Sequence, residues 1–236
     1  MDKRPKSEDV MHPPSATENR LYPAFLTLEG KVCVVVGGGH VATRKVRSLL
    51  AAGAHVVVIS EVLHADLQML HADNVIDVIP ENYAREHLMA ASLVFAATND
   101  HEVNHQIAQD AHERGMWVNV ADNPDGSDFY VPATIRRQGL TLAISTGGGS
   151  PAFARYVREL LEQSLSDALG QALEMVMEAR PLILAETKER QAQLWNGLLA
   201  LHLERVIEIQ GYEGAHRLFG QWLEQHMTEK GRIIHE

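Results

Sequence analysis

Residues Lys31 to Ala52 read KVCVVVGGGHVATRKVRSLLAA and join two different apolar patterns across three glycines. The run Val32–Val36 is continuous, apolar and mostly β-branched, which predicts a short strand covered on both faces. From His40 to Ala52 the apolar residues follow helical spacing instead, and Gly53 is expected to end that helix. A buried strand, a glycine turn and a helix in this order are typical of the first half of a βαβ unit.

The same alternation of strands and helices continues as far as Val120. Further strands are predicted at His55–Ile59, Val75–Ile79, Leu93–Ala97 and Trp117–Val120, with a second helix at His101–Arg114. Strands and helices that alternate at this spacing form a parallel sheet with right-handed crossovers. The sequence therefore predicts an α/β fold with a Rossmann-like parallel sheet.

The pattern changes on both sides of this predicted sheet. Residues 1–20 are polar and charged and include three prolines, so we expect a disordered leader. After about Asp122, a turn-rich segment leads to a predicted strand at Leu140–Ser145, and Ser150-Pro151 then supplies an N-cap and a first-turn proline. Helical spacing continues from there to about Gln210, and another amphipathic helix is predicted within residues 214–236. This predicts a smaller helical C-terminal domain.

Composition excludes several classes of protein. The 236 residues are 45% hydrophobic and 22% charged, as in a folded globular protein. The formal net charge of −10 argues against nucleic-acid or anionic-membrane binding, because both need a positive surface. The single cysteine, Cys33, cannot form an internal disulfide or a cysteine zinc cluster. No apolar run approaches the roughly 20 residues that cross a bilayer, and we expect a cytoplasmic protein.

The glycine turn has the spacing of a phosphate-binding loop. Gly37, Gly39 and Ala42 match the pattern G-x-G-x-x-A, with Gly38 between the two glycines. The first glycine permits a tight turn, the second lets the backbone approach a pyrophosphate, and the alanine allows a helix to pack closely on the sheet. The N–H groups at the helix N-terminus would face the phosphates. The motif favours dinucleotide binding over the alternative of an ordinary strand-to-helix turn.

Two acidic residues follow predicted strands at the edge where parallel sheets bind ligands. Glu61 could accept hydrogen bonds from ribose hydroxyls and would repel a 2′-phosphate, which favours NAD over NADP; the alternative is an exposed glutamate that opens a helix. Asp122 could remove a proton beside a nicotinamide ring. An aspartate before Asn-Pro is also a common turn former, and position alone does not separate these two roles.

Two other patterns are weaker. His101 to His105 matches H-E-x-x-H, the zinc-protease pattern. The chain has 13 histidines, so a chance match is expected, and no third ligand is evident. A solvated helix face is therefore favoured, and no metal site is predicted.

Arginines also cluster on the first helix, before the sixth predicted strand and after Ser150. These could hold a polyanionic substrate or could lie on solvated surfaces. The candidates are Arg44, Arg136 and Arg155.

Six blocks of sequence add to these motifs in colinear order over about residues 21–165. They are Tyr22–Leu26, Val34–Lys45, Leu93–Asp100 with Asn104, Asn119–Asp122, Phe129 with Pro132-Ala133, and Ile144–Pro151 with Arg155. Together they resemble the precorrin-2 dehydrogenases of sirohaem synthesis. The block that reads Ser-Thr-Gly-Gly-x-Ser-Pro from Ser145 is specific.

The resemblance implies NAD-dependent oxidation of precorrin-2 to sirohydrochlorin by a homodimer, and some members of the family also insert ferrous iron. The family's essential aspartate falls on Asp122. Thr146 takes the place of a serine close to the substrate site, which is phosphorylated in the bacterial fusion enzyme; with the three arginines it forms the expected substrate-binding set. The expected NAD contacts are Gly37, Gly38, Gly39, His40, Val41, Ala42, Glu61, Val62 and Thr98.

The implied organisation is a leader at 1–20, an NAD-binding domain at 21–122, a dimerisation and substrate region at 123–165 and a helical domain at 166–236. Two alternatives on the same fold are an NAD oxidoreductase acting on another substrate and a non-catalytic NAD(H)-binding redox sensor that signals through its helical tail. The sirohaem-type block from Ser145 to Pro151 argues against the first, and binding of NAD without turnover of any tetrapyrrole would favour the second.

Overall fold

The computed structural model describes residues 21–88, 91–121 and 123–227. The predicted leader, residues 1–20, and the predicted catalytic residue Asp122 lie outside the described residues. The chain forms two compact units, one up to Val131 and the other from Pro132. The division at residues 20, 122 and 165 that the sequence suggests stays a prediction.

The first unit is built on a five-stranded parallel sheet. The strands are β1 (Val32–Val36), β2 (His55–Ile59), β3 (Asp77–Ile79), β4 (Leu93–Ala96) and β5 (Trp117–Val120). Their order in the sheet is β3-β2-β1-β4-β5. Val36 is in register with Ile59 on one side and with Ala96 on the other, so these three strands end at one edge. The predicted α/β class with a Rossmann-like parallel sheet is confirmed.

Helices cover both faces of this sheet, which is why its central strand β1 is apolar throughout. They are α1 (His40–Leu50), α2 (Ala65–Ala72) and α3 (His101–Glu113). Val35 packs into the apolar cluster that includes α1, and Val34 packs into the opposite cluster with α3. Both side chains are fully buried. A strand with two buried faces has no polar alternation, as the sequence of β1 predicts.

Two details of the first unit differ from the sequence-based expectation. The third strand begins at Asp77 rather than at Val75, because the Val75 N–H donates to the Leu70 carbonyl (2.9 Å) in the turn that ends α2. Helix α2 itself was not predicted. Its N-cap is His64, whose Nδ1 accepts a hydrogen bond from the Asp66 N–H at 3.3 Å. Glu61 therefore lies in the loop before this helix and does not open it.

Within residues 132–227, the second unit combines an antiparallel hairpin with four helices. Its elements are β6 (Ala133–Arg137), β7 (Leu140–Ile144), α4 (Pro151–Ser164), α5 (Ala168–Leu184), α6 (Lys188–Leu199) and α7 (Leu203–His226). The predicted start of α4 is confirmed, with the Ser150 hydroxyl accepting from the Phe153 N–H at 3.2 Å. The predicted break near Gln210 is a kink in α7 at Gly211, where φ is 74°. No helix in the described part of the chain has the length and apolar character needed to cross a membrane.

Candidate dinucleotide-binding site

The turn after β1 requires glycine at two positions for steric reasons. Gly37 has a φ of 121°, and a Cβ there would overlap the carbonyl oxygen of Ala97 at the end of β4. At Gly38 a Cβ would overlap the carbonyl oxygen of Val62. Both contacts are with backbone atoms, so no rotation of a side chain could relieve them. The turn therefore lies tightly against its two neighbouring loops.

Gly39 differs from its two neighbours. Its φ of −88° and ψ of −167° suit any residue, and no atom lies within 4 Å of where its Cβ would be. Gly39 is also the N-cap of α1, and no side chain caps this helix. The first turn of α1 has no acidic residue. An uncapped helix N-terminus beside open space is an anion-binding geometry, because its N–H groups lack intrahelical partners.

The loop between β2 and α2 closes against this turn. The His64 N–H donates to the Gly38 carbonyl at 2.7 Å, and its ring lies 4.3 Å from the His40 ring, centroid to centroid. The Ser60 hydroxyl donates to the Val62 carbonyl at 2.8 Å. Glu61 lies between Ser60 and Val62 in the chain and is exposed.

The loop after β4 is fixed by one buried amide. Asn104 is only 3% exposed, and its Oδ1 accepts hydrogen bonds from the Thr98 N–H (3.1 Å) and hydroxyl (2.7 Å). Its Nδ2 donates to the Thr98 carbonyl at 3.1 Å. Asp100 then caps α3 by accepting from the N–H groups of Glu102 and Val103. Thr98 is therefore held by both its backbone and its side chain.

These loops enclose a cavity of about 1020 Å³ at the carboxyl edge of the sheet. Its lining comes from the glycine turn, the loops after β2 and β4, the segment after β3 and the first turns of α3; representative residues are Gly39, Glu61, Val62, Tyr83, Thr98 and Gln106. The open face at Gly39 and the uncapped N–H groups of α1 suit a pyrophosphate, and the exposed Glu61 carboxylate suits ribose hydroxyls. The residues present therefore fit a dinucleotide.

Some predicted cofactor residues line this cavity and others lie behind it. Val41 and Ala42 pack towards the apolar cluster under α1, so their side chains do not face the cavity. Ala42 is fully buried, in agreement with the close helix–sheet contact expected of that position. His40 is exposed at the start of α1. The assignment of individual residues to NAD stays a prediction.

The predicted substrate residues belong to different units. Arg44 is exposed on α1 in the first unit, whereas Arg136 and Arg155 are exposed on β6 and α4 in the second. The Thr146 hydroxyl donates to the Ser150 carbonyl (3.1 Å) and accepts from the Ser150 N–H (3.0 Å), which closes the loop before α4. Their convergence on one substrate stays a prediction.

The two histidines of the H-E-x-x-H pattern, His101 and His105, lie on an exposed part of α3. Among the side chains that the structure describes, no group of three or more histidine, cysteine, aspartate or glutamate residues could hold a metal ion.

Sequence reasoning did not identify Tyr83, which lines the cavity after β3. Its hydroxyl donates to the buried carboxylate of Asp110 on α3 at 2.8 Å. Burial raises the pKa of Tyr83 well above its ordinary value, and the hydrogen bond to Asp110 raises it further. The Tyr83 side chain is therefore neutral and is held in one position in the lining of the cavity. The sequence gives no signal for this pair, because the two residues lie 27 positions apart.

Comparisons with known proteins agree with this geometry. The NAD(P)-binding family model matches residues 24–133, and the model for the central part of sirohaem biosynthesis proteins matches residues 137–164. The chain is therefore similar to sirohaem biosynthesis proteins over both of these regions. The resemblance recognised in the sequence and the predicted cofactor, a nicotinamide dinucleotide, are both confirmed.

The relatives that match this chain are longer than it is. Siroheme synthase 2 of Aeromonas hydrophila is 36% identical over 216 residues, which cover 90% of this chain and 45% of that protein. Siroheme synthase of Zymomonas mobilis is 35% identical over 218 residues, with coverage of 90% and 45%. The chain thus spans slightly less than half the length of these relatives. The solved structure of SirC, a precorrin-2 dehydrogenase, matches with a TM-score of 0.69 and 28% identity, over 87% of this chain and 100% of that one.

Proposed function

We propose that this protein oxidises precorrin-2 to sirohydrochlorin with NAD as the oxidant, as an enzyme of sirohaem biosynthesis. The observation that carries the proposal is the order of the two matched regions. A dinucleotide-binding domain at 24–133 is followed directly by a segment found in sirohaem biosynthesis proteins, at 137–164. Over most of its length the chain also shares its fold with SirC, a precorrin-2 dehydrogenase.

The choice of NAD over NADP rests on Glu61. Its carboxylate is exposed at the cavity, at the end of β2 where the ribose is read in this fold. Glu81 and Asp100 also line the cavity, so a 2′-phosphate would enter an acidic environment. The same charges tolerate a ribose hydroxyl, which can donate a hydrogen bond to a carboxylate.

The residues divide the reaction between orientation and proton transfer. When bound, NAD supplies the acceptor for a hydride, so the chain itself needs no redox group. The glycine turn and the N-terminus of α1 would hold the phosphates, and Thr98 with its Asn104 clamp would fix the loop beside them. Asp122 would accept, at a carboxylate oxygen, the proton that leaves the macrocycle with the hydride. The balance is precorrin-2 plus NAD⁺ giving sirohydrochlorin, NADH and a proton.

The remaining assignments concern substrate and assembly. Precorrin-2 is a polycarboxylate, and Arg44, Arg136 and Arg155 are exposed cations that would bind its carboxylates together with Thr146.

A homodimer is proposed because α4 exposes an apolar stripe at helical spacing. The stripe is formed by Phe153, Tyr156 and Leu160, which are 56%, 53% and 45% exposed. The proposed location is the cytoplasm.

Anaerobic absorbance spectroscopy tests the central claim. Precorrin-2 and the protein are mixed with and without NAD, and a spectrum of sirohydrochlorin that depends on NAD supports the dehydrogenase. Cobalt or ferrous ion is then added, and a spectral shift faster than the protein-free rate adds metal insertion to the activity. Saturable NAD binding with no turnover would instead favour the redox sensor.

The role of Asp122 has its own test. Asp122→Asn is expected to bind NAD normally and to lose at least a hundredfold in kcat, because the amide cannot accept the proton. Asp125→Asn, three residues further along the same turn-rich segment, is the matched control and should leave turnover unchanged. Full turnover by Asp122→Asn would remove Asp122 from the mechanism while leaving the dehydrogenase assignment intact.

A further inference from the structure

The edge of the sheet at β5 is closed by the chain itself. β5 is an edge strand, and residues 127–129 return alongside it. The Asp128 N–H donates to the Val118 carbonyl and the Asp128 carboxylate accepts from the Val118 N–H, each at 2.9 Å. The Ser127 hydroxyl accepts from the Val120 N–H, also at 2.9 Å. The segment between these anchors, residues 121–126, is termed the β5 loop and contains Asp122.

One buried side chain connects this returning segment to α1. Asn119 is 7% exposed, and its Nδ2 donates to the Phe129 carbonyl at 2.9 Å. Its Oδ1 accepts a hydrogen bond from Nζ of Lys45 at 2.9 Å. Lys45 lies on α1, 74 residues earlier, so this contact ties the helix of the glycine turn to the strand that leads into the β5 loop.

Lys45 is held over an aromatic pair. Its Nζ lies 5.5 Å from the centroid of the Phe95 ring, and Phe95 meets Phe129 edge-on at 5.4 Å. Lys45, Phe95, Phe129 and Asn119 therefore form a closed ring of contacts. A cation over an aromatic face gains electrostatic energy, most of all where water is partly excluded.

The ammonium also determines how Asn119 is oriented. An ammonium has only donors, so the amide must turn its oxygen towards Lys45 and its NH₂ group towards Phe129. The opposite orientation would place two donors together and leave the Phe129 carbonyl facing an oxygen. A neutral residue at position 45 removes one of the two partners that set this orientation and leaves Oδ1 of Asn119 without the Lys45 donor, which weakens the anchor at one end of the β5 loop.

We infer that Lys45 is a positioning residue for the proposed oxidation, acting through Asn119 to hold the β5 loop that carries Asp122. The inference rests on the proposed function and on the role of Asp122. Three peptide units separate Asn119 from Asp122, so their Cα atoms lie within about 11 Å of each other. A shift at Asn119 is therefore passed to the proposed proton acceptor over a short covalent path.

The test uses Lys45→Met, which keeps an unbranched stem over Phe95 and removes the donor and the charge. The kcat of precorrin-2 oxidation should fall at least tenfold, because a small misplacement of a reacting group is costly. The KM for NAD should stay within twofold. Lys45→Arg, which keeps charge and donors, should restore most of the activity. Lys31→Met removes the same charge before β1 and should match the wild type.

Two further measurements separate this inference from the proposed function. Hydrogen exchange at the Val118 and Val120 amides should be roughly tenfold faster in Lys45→Met, and this readout needs no substrate. In kinetics, Lys45→Met combined with Asn119→Ala should lose no more than the stronger single variant, since both break one pathway. If the wild type does not oxidise precorrin-2, the proposed function is wrong. The exchange data would still show whether Lys45 stabilises the anchors of the β5 loop.

The inference is wrong if Lys45→Met leaves both kcat and exchange unchanged. It is equally wrong if Lys45→Met and Lys45→Arg lose activity and thermal stability together while the KM for NAD rises, because that pattern describes a purely structural lysine.

Discussion

Replacing Gly39 by alanine should separate cofactor binding from folding. The backbone at Gly39 already has dihedral angles that alanine adopts, and the added methyl group meets no atom within 4 Å. The stability of the folded protein should therefore change by no more than about 1 kcal/mol, because the gain of about 0.4 to 1 kcal/mol from a stiffer unfolded chain opposes a loss of similar size from alanine as a poorer N-cap. The methyl group would occupy the open face where the pyrophosphate is expected, so NAD affinity should fall.

The size of the expected loss follows from what the methyl group blocks. It keeps the phosphates from the uncapped N–H groups of α1, and losing one or two charge-assisted hydrogen bonds costs about 1.5 to 3 kcal/mol each. A weakening of NAD binding by roughly tenfold to a hundredfold, or about 1.4 to 2.7 kcal/mol, is a conservative expectation. Gly37→Ala gives the opposite result. Its positive φ and the overlap with Ala97 should destabilise the fold by about 2 to 6 kcal/mol.

Urea denaturation gives the free energy of unfolding of each variant without ligand, and titration calorimetry gives the Kd for NAD. The informative result is a Gly39→Ala protein as stable as the wild type that binds NAD weakly. If Gly39→Ala binds NAD with unchanged affinity, the pyrophosphate does not approach the turn at this glycine and the site has been placed wrongly. If the Gly39→Ala protein is as unstable as the Gly37→Ala protein, the space beside Gly39 is not open to a methyl group.

Three further outcomes are expected. Asn104→Ala leaves the Thr98 N–H without its partner and should lower the free energy of unfolding by about 1 to 3 kcal/mol and weaken NAD binding, as measured by urea denaturation and calorimetry. Glu61→Ser should reduce the preference for NAD over NADP by about tenfold in Kd, and an unchanged ratio would exclude Glu61 as its source. Burial raises the pKa of the Cys33 thiol to about 11, so the unfolded chain releases this proton first. Stability relative to Cys33→Ala should be constant below about pH 8.5 and fall by about 2 to 3 kcal/mol as the pH rises to 11.

The sheet could be predicted because its signals are local. The run Val32–Val36, the glycines after it and the helical spacing from His40 all lie within one short stretch, and each agrees with the structure. The predicted third strand is two residues too long, because Val75 and Ile76 extend its apolar run. Asn74, with a φ of 55°, marks the turn that ends α2 and keeps these two residues out of β3. Helix α2 was missed because its cap is a histidine rather than the usual serine, threonine or aspartate.

The site could be predicted only where a sequence motif encodes backbone geometry. In the motif G-x-G-x-x-A, Gly38 occupies a position open to any residue, yet a Cβ there would overlap the Val62 carbonyl. That contact depends on a loop 24 residues further along the chain, so no local pattern can report it. The same holds for Lys45 and Asn119, which are neighbours only because α1 packs on the sheet. Long-range partners follow from the fold and not from spacing.

The acidic lining of the cavity explains why no side chain caps the N-terminus of α1. Glu61, Glu81 and Asp100 line the cavity, so side chains there give little attraction to a pyrophosphate. Attraction must come from backbone dipoles, and α1 differs from α3, whose N-terminus is already capped by Asp100. A serine or aspartate N-cap in place of Gly39 would stabilise α1 by roughly a few tenths of a kcal/mol only, but its side chain would compete with the ligand for the same N–H groups. With glycine at this position, the N–H groups at the start of α1 have no side-chain partner and are available to a phosphate. An acidic cavity can therefore attract an anion through the backbone of α1.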